Sequence, residues 1–531
     1  MKRTIALALA AMMLMAVLLG GCNNSTSSTG SSAANGSSTA GGDVSNTDPQ
    51  NPYANLDLST EENIVTYVVA SEPNAIAEVM AQVNEKLKAA INTTMEMYFI
   101  PTSELSTKYP LVMAGGDEID LIYTANHAYY REQVNKGGFR ELTMDFIQKY
   151  LPQTYSVLPE SAWKETYIGG KIYMVPRNTA EIFPDRGPVI DMDVAAKYDY
   201  TADSFHSWED FDKFLMTVGD KEVPNGKYAF NASSVANMYD IGLRYRFNLI
   251  NNQATDYVYY SQLEDPTFQN PFFLHTSEQY KTYIQDMAKY AGASIWPSDA
   301  ISNTNGITAM FRNGQTVTGY NNYYNGINTL QGFKEQGINA EMVDIYPENY
   351  RALRDSYIGD GMAITSFSKK PERTAVLLDY IKNDFDTYML LAGGIEGRHY
   401  VYDEASNTVE PGPEATDYQF DGWAWGIRHK DFPWPATDDP YINATNEKLK
   451  KNQIKDEEWP YWGFNFDYNP VSAEWAVISA LITEYQPSFD LGMFGDNTMK
   501  EYEGFIEKLK QGGLDKYMEE WNRQRSEFLA K

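Results

Sequence analysis

Cysteine occurs once in the 531 residues, at Cys22, so no internal disulfide can staple this chain. The five histidines, His127, His206, His275, His399 and His429, are scattered, with no HExxH and no cysteine partners, which removes the common zinc patterns. No GxxxxGK followed by Ser or Thr is present, and with it goes a phosphate-cradling loop and ATPase chemistry within the chain. GxSxG is missing as well. Basic residues are outnumbered, 43 against 72 acids, for a formal charge of −29. So acidic a body is repelled by nucleic acid and by anionic lipid, and neither is expected as a partner. No internal repeat is visible, which weakens a repetitive adhesion module.

What is present is ordinary globular material. Hydrophobic residues at 43% and charged residues at 22% exclude both a disordered chain and a multi-span membrane protein. Single cores stop growing at about 250 to 300 residues, so this length implies two lobes. The start is different. Lys2 and Arg3, the apolar run Ile5 to Leu19 and the small residues before Cys22 form a secretion signal over residues 1–21. Cys22 after Leu19-Gly20-Gly21 stands where the cut should fall, the place of a lipidated N-terminus. Residues 22–58 are largely Asn, Ser, Thr, Gly and Ala, the composition of a flexible tether reaching about 30 Å.

The body begins with a strand-like run, Asn63 to Ala70, followed by a helix from Pro73 whose apolar face is Ile76, Val79, Met80, Val83 and Leu87. Further strands, Met95 to Ile100 and Ile119 to Tyr123, complete a βαβαβ series. Such a sheet is parallel and binds ligands beyond the carboxyl ends of its strands, which brings Ser71, Glu72, Tyr123, Thr124 and Asn126 to the ligand side. Gly169 to Pro176 (GGKIYMVP) reads as a crossover into a second lobe, with Arg177 and Asn178 on the crossover itself.

The segments LVMAGGDEIDLIYTANHAYY, NKGGFRELTMDFIQKYLP and YIGGKIYMVP, with GGIEGRHY, GFNFDYNPVSAEW and the C-terminal EYEGFIEKLKQGGLDKYMEEWNRQRSEF, resemble extracellular solute-binding lipoproteins of bacterial carbohydrate ABC importers. The likeness is nearest to the long Gram-positive oligosaccharide-binding subgroup and spans most of the chain beyond the tether. It implies an α/β, two-lobed periplasmic-binding-protein-like fold of type II, with three interlobe crossings and a cleft between lobes. The expected boundaries are 59–185 with 357–400 for the first lobe, and 186–356 with 401–531 for the second. Membrane subunits of an importer are the implied partners, the lipid anchor the only membrane contact, and a monomer the expected state. In this family an aromatic platform often follows the strand that ends the Gly306 to Gly319 helix-turn-strand unit, which implies sugar contacts for Tyr320, Asn321 and Tyr323.

Thirty-nine tyrosines and a run of five tryptophans, Trp423, Trp425, Trp434, Trp459 and Trp462, suit the apolar faces of sugars. Trp425, between Gly422 and Gly426, is the expected ring in the cleft, although each such ring could equally be packing. The expected ligand set is therefore Glu72, Tyr123, Thr124, Asn126, Arg177, Asn178, Tyr320, Asn321, Tyr323 and Trp425, with a neutral oligosaccharide as ligand. No catalytic residue, cofactor or metal is expected; the pairs Asp191/Asp193 and Asp438/Asp439 do not complete a calcium loop. A secreted glycoside hydrolase stays open, since 72 acids leave many carboxylate pairs that sequence cannot place in space. So does a surface polysaccharide-adhesion protein.

Overall fold

The computed structural model describes residues 51–530 other than 116–117, 180–185, 231, 234–236, 252–255, 304–305, 324–325, 347, 419–425 and 436–439. Cys22 and Trp425 lie outside the described residues.

The first strand, β1 (Glu62–Val68), buries Ile64, Thr66 and Val68 in alternation, as a pleated strand with one covered face must. The helix Ile76–Ile91 covers it with Val79, Val83, Leu87 and Ile91, one residue per turn. Asn92 ends that helix in the left-handed region (φ 48°) and donates its amide to the Leu58 carbonyl at 2.9 Å. The chain then forms β2 (Thr93–Phe99), β3 (Leu121–Thr124) and β4 (Val175–Pro176). It continues into a second sheet through β5 (Arg186–Asp191), β6 (Tyr228–Phe230), β7 (Thr316–Asn322) and β8 (Ala340–Met342), and returns as β9 (Gly361–Ile364).

The first sheet runs β2-β1-β3-β9-β4 and the second β8-β5-β7-β6. Strands β1, β2 and β3 are parallel, and β9 enters antiparallel between β3 and β4. In the second sheet β5 is antiparallel to both neighbours, while β7 and β6 are parallel. Each sheet has its own core. One is built on Ile64, Val83, Leu121, Met362 and Leu377, the other on Val189, Phe211, Phe230, Met287 and Val317. Ser207 caps the helix Trp208–Glu222 of the second core by accepting from the Asp210 amide at 3.1 Å.

The C-terminal helices Ser472–Asp490, Thr498–Gln511 and Leu514–Leu529 bury Ile478, Phe489, Tyr502, Phe505 and Trp521 in the second core. The segment after Tyr400 differs from the expected division. Tyr400, Val409, Tyr418 and Ile427 pack into the first core, and among the described residues Ile442 is the first buried side chain after them to join the second. Among the described residues the first core thus takes side chains as far as Phe432, past the Tyr400 boundary expected from the sequence. The alternation after Tyr400 reads as a new unit in sequence, yet the hairpin Tyr400–Asp403 with Thr408–Pro411 rests its buried face on the older core. Among the described residues, no helix is long and apolar enough to cross a membrane.

Candidate functional site

Where β3 ends, the chain turns sharply. Thr124 donates its hydroxyl to the Ala128 carbonyl at 2.9 Å, and Tyr109 donates to the Tyr123 carbonyl at 2.8 Å. Tyr129 takes a positive φ of 62° before the short helix Tyr130–Asn135 begins. The Asn126 amide donates to the Ile358 carbonyl at 2.8 Å, which ties this turn to the segment returning from the second sheet. Asn126 and His127 are left exposed.

These residues form one wall of a cleft of about 730 Å³ between the two cores. Asn126, His127, Tyr129, Arg131 and Asn135 face Trp462, Asn465, Tyr468 and Trp475, with Glu165, Ser356 and Ile358 also lining it. Arg131 reaches across, donating to Asn465 Oδ1 at 2.6 Å and to the Phe466 carbonyl, with its guanidinium 5.9 Å from the Tyr468 ring. Burial draws its pKa below the ordinary arginine value. Asn465 in turn donates to the Tyr167 carbonyl at 2.9 Å. Tyr468 stacks on Trp475 at 4.9 Å, and Trp475 on Tyr517 at 5.3 Å, so this wall is rigid.

Trp462 is fixed from behind. The Arg354 guanidinium lies 3.7 Å from its ring centroid and pairs with Glu165 at 2.8 Å and Asp456 at 2.7 Å. Glu165 also accepts from the Ser356 hydroxyl (2.5 Å) and the Tyr357 amide (2.8 Å). Burial raises its pKa in spite of those donors. From the outward crossover Arg177, 1% exposed, meets the returning segment: it pairs with Asp355 and Asp360, each at 2.5 Å, and donates to the Ser356 carbonyl at 3.0 Å. Burial opposes its charge, yet the two carboxylates hold its pKa above the ordinary value. Tyr123 donates to Asp360, and burial lifts its phenol well above the usual range. Segment 354–360 is therefore held by Arg177 from outside and by the pairing of its own Arg354 with Glu165 and Asp456.

Of the expected ligand residues that are described, only Asn126 lines this cleft. Tyr123, Thr124 and Arg177 are buried, with polar groups engaged by the protein. Asn178 is buried too, accepting from the Lys430 amide at 2.8 Å; its Nδ2 finds no partner among the described residues. Glu72 is exposed in the loop after β1 and outside the cleft lining. In the second lobe Tyr323 is 1% exposed and donates to the Val343 carbonyl at 3.0 Å, so it has no face to offer. Tyr320 is covered on its ring by Phe230 (6.2 Å, stacked) and by the Arg186 guanidinium (5.3 Å), and burial lifts its pKa to about 12. Asn321 donates to Thr329 Oγ1 at 2.8 Å and accepts from the Asn322 amide. Residues the sequence expectation omits, Arg131, Asn465, Tyr468 and Trp475, form much of the cleft; three of them sit in GFNFDYNPVSAEW. Trp462 belongs to the tryptophan run singled out above, whereas Trp459, 1% exposed, packs against Tyr260 and Phe268. Among the described residues no cluster of acids, histidines and cysteines could hold a metal ion.

Two cores joined by repeated crossings around a cleft define a two-lobed solute-binding-protein fold, and the comparisons agree. The N-glycan transport solute-binding protein NgtS of Streptococcus pneumoniae aligns at TM-score 0.72 with 17% identity, over 89% of this chain and all of that one. FusA, an ABC-transporter substrate-binding protein of S. pneumoniae solved with kestose, aligns at 0.63 and 15%, over 89% of this chain and all of that one. A human-milk-oligosaccharide-binding, ABC-transporter-associated protein of Bifidobacterium longum infantis aligns at 0.57 and 14%, over 87% and 98%. Residues 460–530 match a family model described as a domain of unknown function, DUF3502. No curated protein matches.

Proposed function

We propose that this protein binds an oligosaccharide between its lobes and delivers it to the membrane subunits of an ABC importer. The observation that carries the reading is the cleft itself, where Trp462, Tyr468 and Trp475 of one lobe face Asn126, Tyr129 and Asn135 of the other. Rings that stack on the apolar faces of sugars, beside amides that bond hydroxyls, are the chemistry a carbohydrate needs. Support comes from the aligned proteins, among them NgtS in complex with Man5GlcNAc and FusA with kestose. Short segments at the crossings can absorb a rigid-body closure while each core stays intact. The protein is a monomer in this reading and turns nothing over.

Calorimetry against an oligosaccharide panel tests it. A binding sugar should reduce the radius of gyration in solution scattering, and Trp462→Ala should weaken it by about 5- to 150-fold, the effect of losing one buried contact. Product formation from the panel would instead favour the glycosidase reading, and an unchanged radius at saturation would count against closure.

Anchoring is part of the same proposal: cleavage before Cys22 and acylation of its thiol would tether the body outside the cytoplasmic membrane, stably if two or more chains are attached. Cys22→Ser should release the protein into the medium or leave the precursor uncut. Identical membrane partitioning of both forms would remove the anchor.

A further inference from the structure

The loop that carries Trp462 and Tyr468 is fixed at both ends to the second lobe. The Tyr461 hydroxyl donates to the Phe268 carbonyl at 2.6 Å and accepts from Arg525 at 2.8 Å, while the Gln524 side chain bonds the amide and the carbonyl of Asp467, each at 2.8 Å. Gln524 and Arg525 stand on the C-terminal helix Leu514–Leu529, so the loop moves with that lobe. Its middle lies on the first lobe instead. A Cβ at Gly463 would come within 2.8 Å of the Lys164 carbonyl oxygen, and φ there is +80°, so a glycine is what permits the approach. Beside it Asn465 donates to the Tyr167 carbonyl at 2.9 Å, and Arg131 donates to Asn465 Oδ1 at 2.6 Å and to the Phe466 carbonyl.

Arg131 is itself firmly placed on the first lobe. Its neighbour Tyr130 donates its hydroxyl to the Thr166 carbonyl at 2.5 Å, which sets the helix Tyr130–Asn135 beside the strip 164–167. Both acceptors of the Arg131 guanidinium lie across the cleft, and the groups that most favour its charge, Tyr468, Asp256, Asp467 and Tyr517, are of the second lobe too. A planar fork on two fixed acceptors defines a geometry as well as an attraction, and such charge-assisted bonds are roughly twice as strong as neutral ones. Parting the walls would break both bonds together.

We propose that Arg131 is a positioning residue of the sugar site: it latches the ring-bearing loop of the second lobe to the first, and so sets the spacing of the two walls that hold the sugar. What the walls hold rests on the oligosaccharide reading above; the latch does not. The test is solution scattering of the protein without sugar, followed by calorimetry with the oligosaccharides that bind the wild type. Without sugar, Arg131→Met should show a larger radius of gyration than the wild type, and the two should converge at saturation, because a ligand that bridges the walls closes both. Affinity should fall by about 10- to 100-fold, since only the closed fraction binds tightly and losing charge-assisted bonds lowers that fraction. Arg131→Lys, which keeps the charge and loses the fork, should fall between the two. Asn465→Ala, which removes one acceptor of Arg131 and the bond to Tyr167, should enlarge the sugar-free radius in the same direction, and it decides the question if the methionine variant fails to fold. Equal sugar-free radii in wild type and variants would overturn the latch and leave the sugar site standing. A panel in which nothing binds would overturn the sugar site, and the sugar-free radii would still decide the latch.

Discussion

Replacing Arg177 by Met should cost about 3 to 5 kcal/mol of unfolding free energy, the range for stripping one partner from a buried ion pair. The cost does not come from a lost attraction alone. Asp355 and Asp360 would each lose a guanidinium contact at 2.5 Å, and Asp360 would be left buried beside the Tyr123 phenol. Burial already pushes the Asp360 carboxyl upward, and Arg177 is the main group opposing that. Without it the carboxyl must take up a proton or face water through a local opening. Asp360→Asn introduced into the Met variant should recover part of the loss, because the uncompensated charge is gone. Urea denaturation measures both. A loss of about 1 kcal/mol or less, the worth of an exposed pair, would mean that water reaches this site in the folded protein.

Arg177 shows why the backbone position of a crossing residue can be read from sequence while its partners cannot. Strand ends on a parallel sheet do point to one edge, so Tyr123, Thr124 and Arg177 were expected there, and that is where they are. Topology fixes a backbone position, however, and says nothing about which neighbours take up the side chain. Asp355 and Asp360 arrive about 180 residues later in the chain, and no local pattern in one sequence announces that Arg177 will be spent on them. The core elements were far more legible. Val79, Val83 and Leu87 recur at helical spacing, and Ser207 stands at its cap position, because these interactions are local.

Rings present the opposite difficulty. Trp459 and Trp462 are three residues apart in one polar, aromatic stretch, yet one is sealed in the second core and the other lies in the cleft with Arg354 behind it. Hydrophobic periodicity cannot separate them, since their segment is loop. Tyr320 was expected to offer a flat face and instead lends it to Arg186. A stacked pair of this kind is visible only when both strands of the sheet are placed side by side.

Asp490→Asn should stabilise the protein increasingly as pH rises from 4 to 8. The carboxyl is buried, with Oδ2 accepting from Asn237 and from Gln486, each at 3.3 Å, and the Tyr283 phenol facing it as a further hydrogen-bond partner. Burial raises its pKa from the usual carboxylate range to about 7. A raised folded-state pKa means that the folded chain holds a proton the unfolded chain has already released, so the stabilising contribution is complete below about pH 4 and is lost as pH climbs through 7. The asparagine keeps an acceptor for Asn237 and Gln486 and carries no charge, so it escapes that loss. At pH 4 the two proteins should match, and at pH 8 the variant should be ahead by a few kcal/mol, with about 4 kcal/mol as the ceiling for a carboxyl raised to about 7. Comparison of variant with wild type is essential here, because His275 and His429, which burial lowers to about 3 and about 4, pull the wild-type curve the other way over part of the same range. Their contribution is common to both proteins and cancels in the difference. Denaturant midpoints at pH 4, 6 and 8 would measure it, and a difference that stays flat with pH would show that Asp490 is ionised in the folded state at mild acidity.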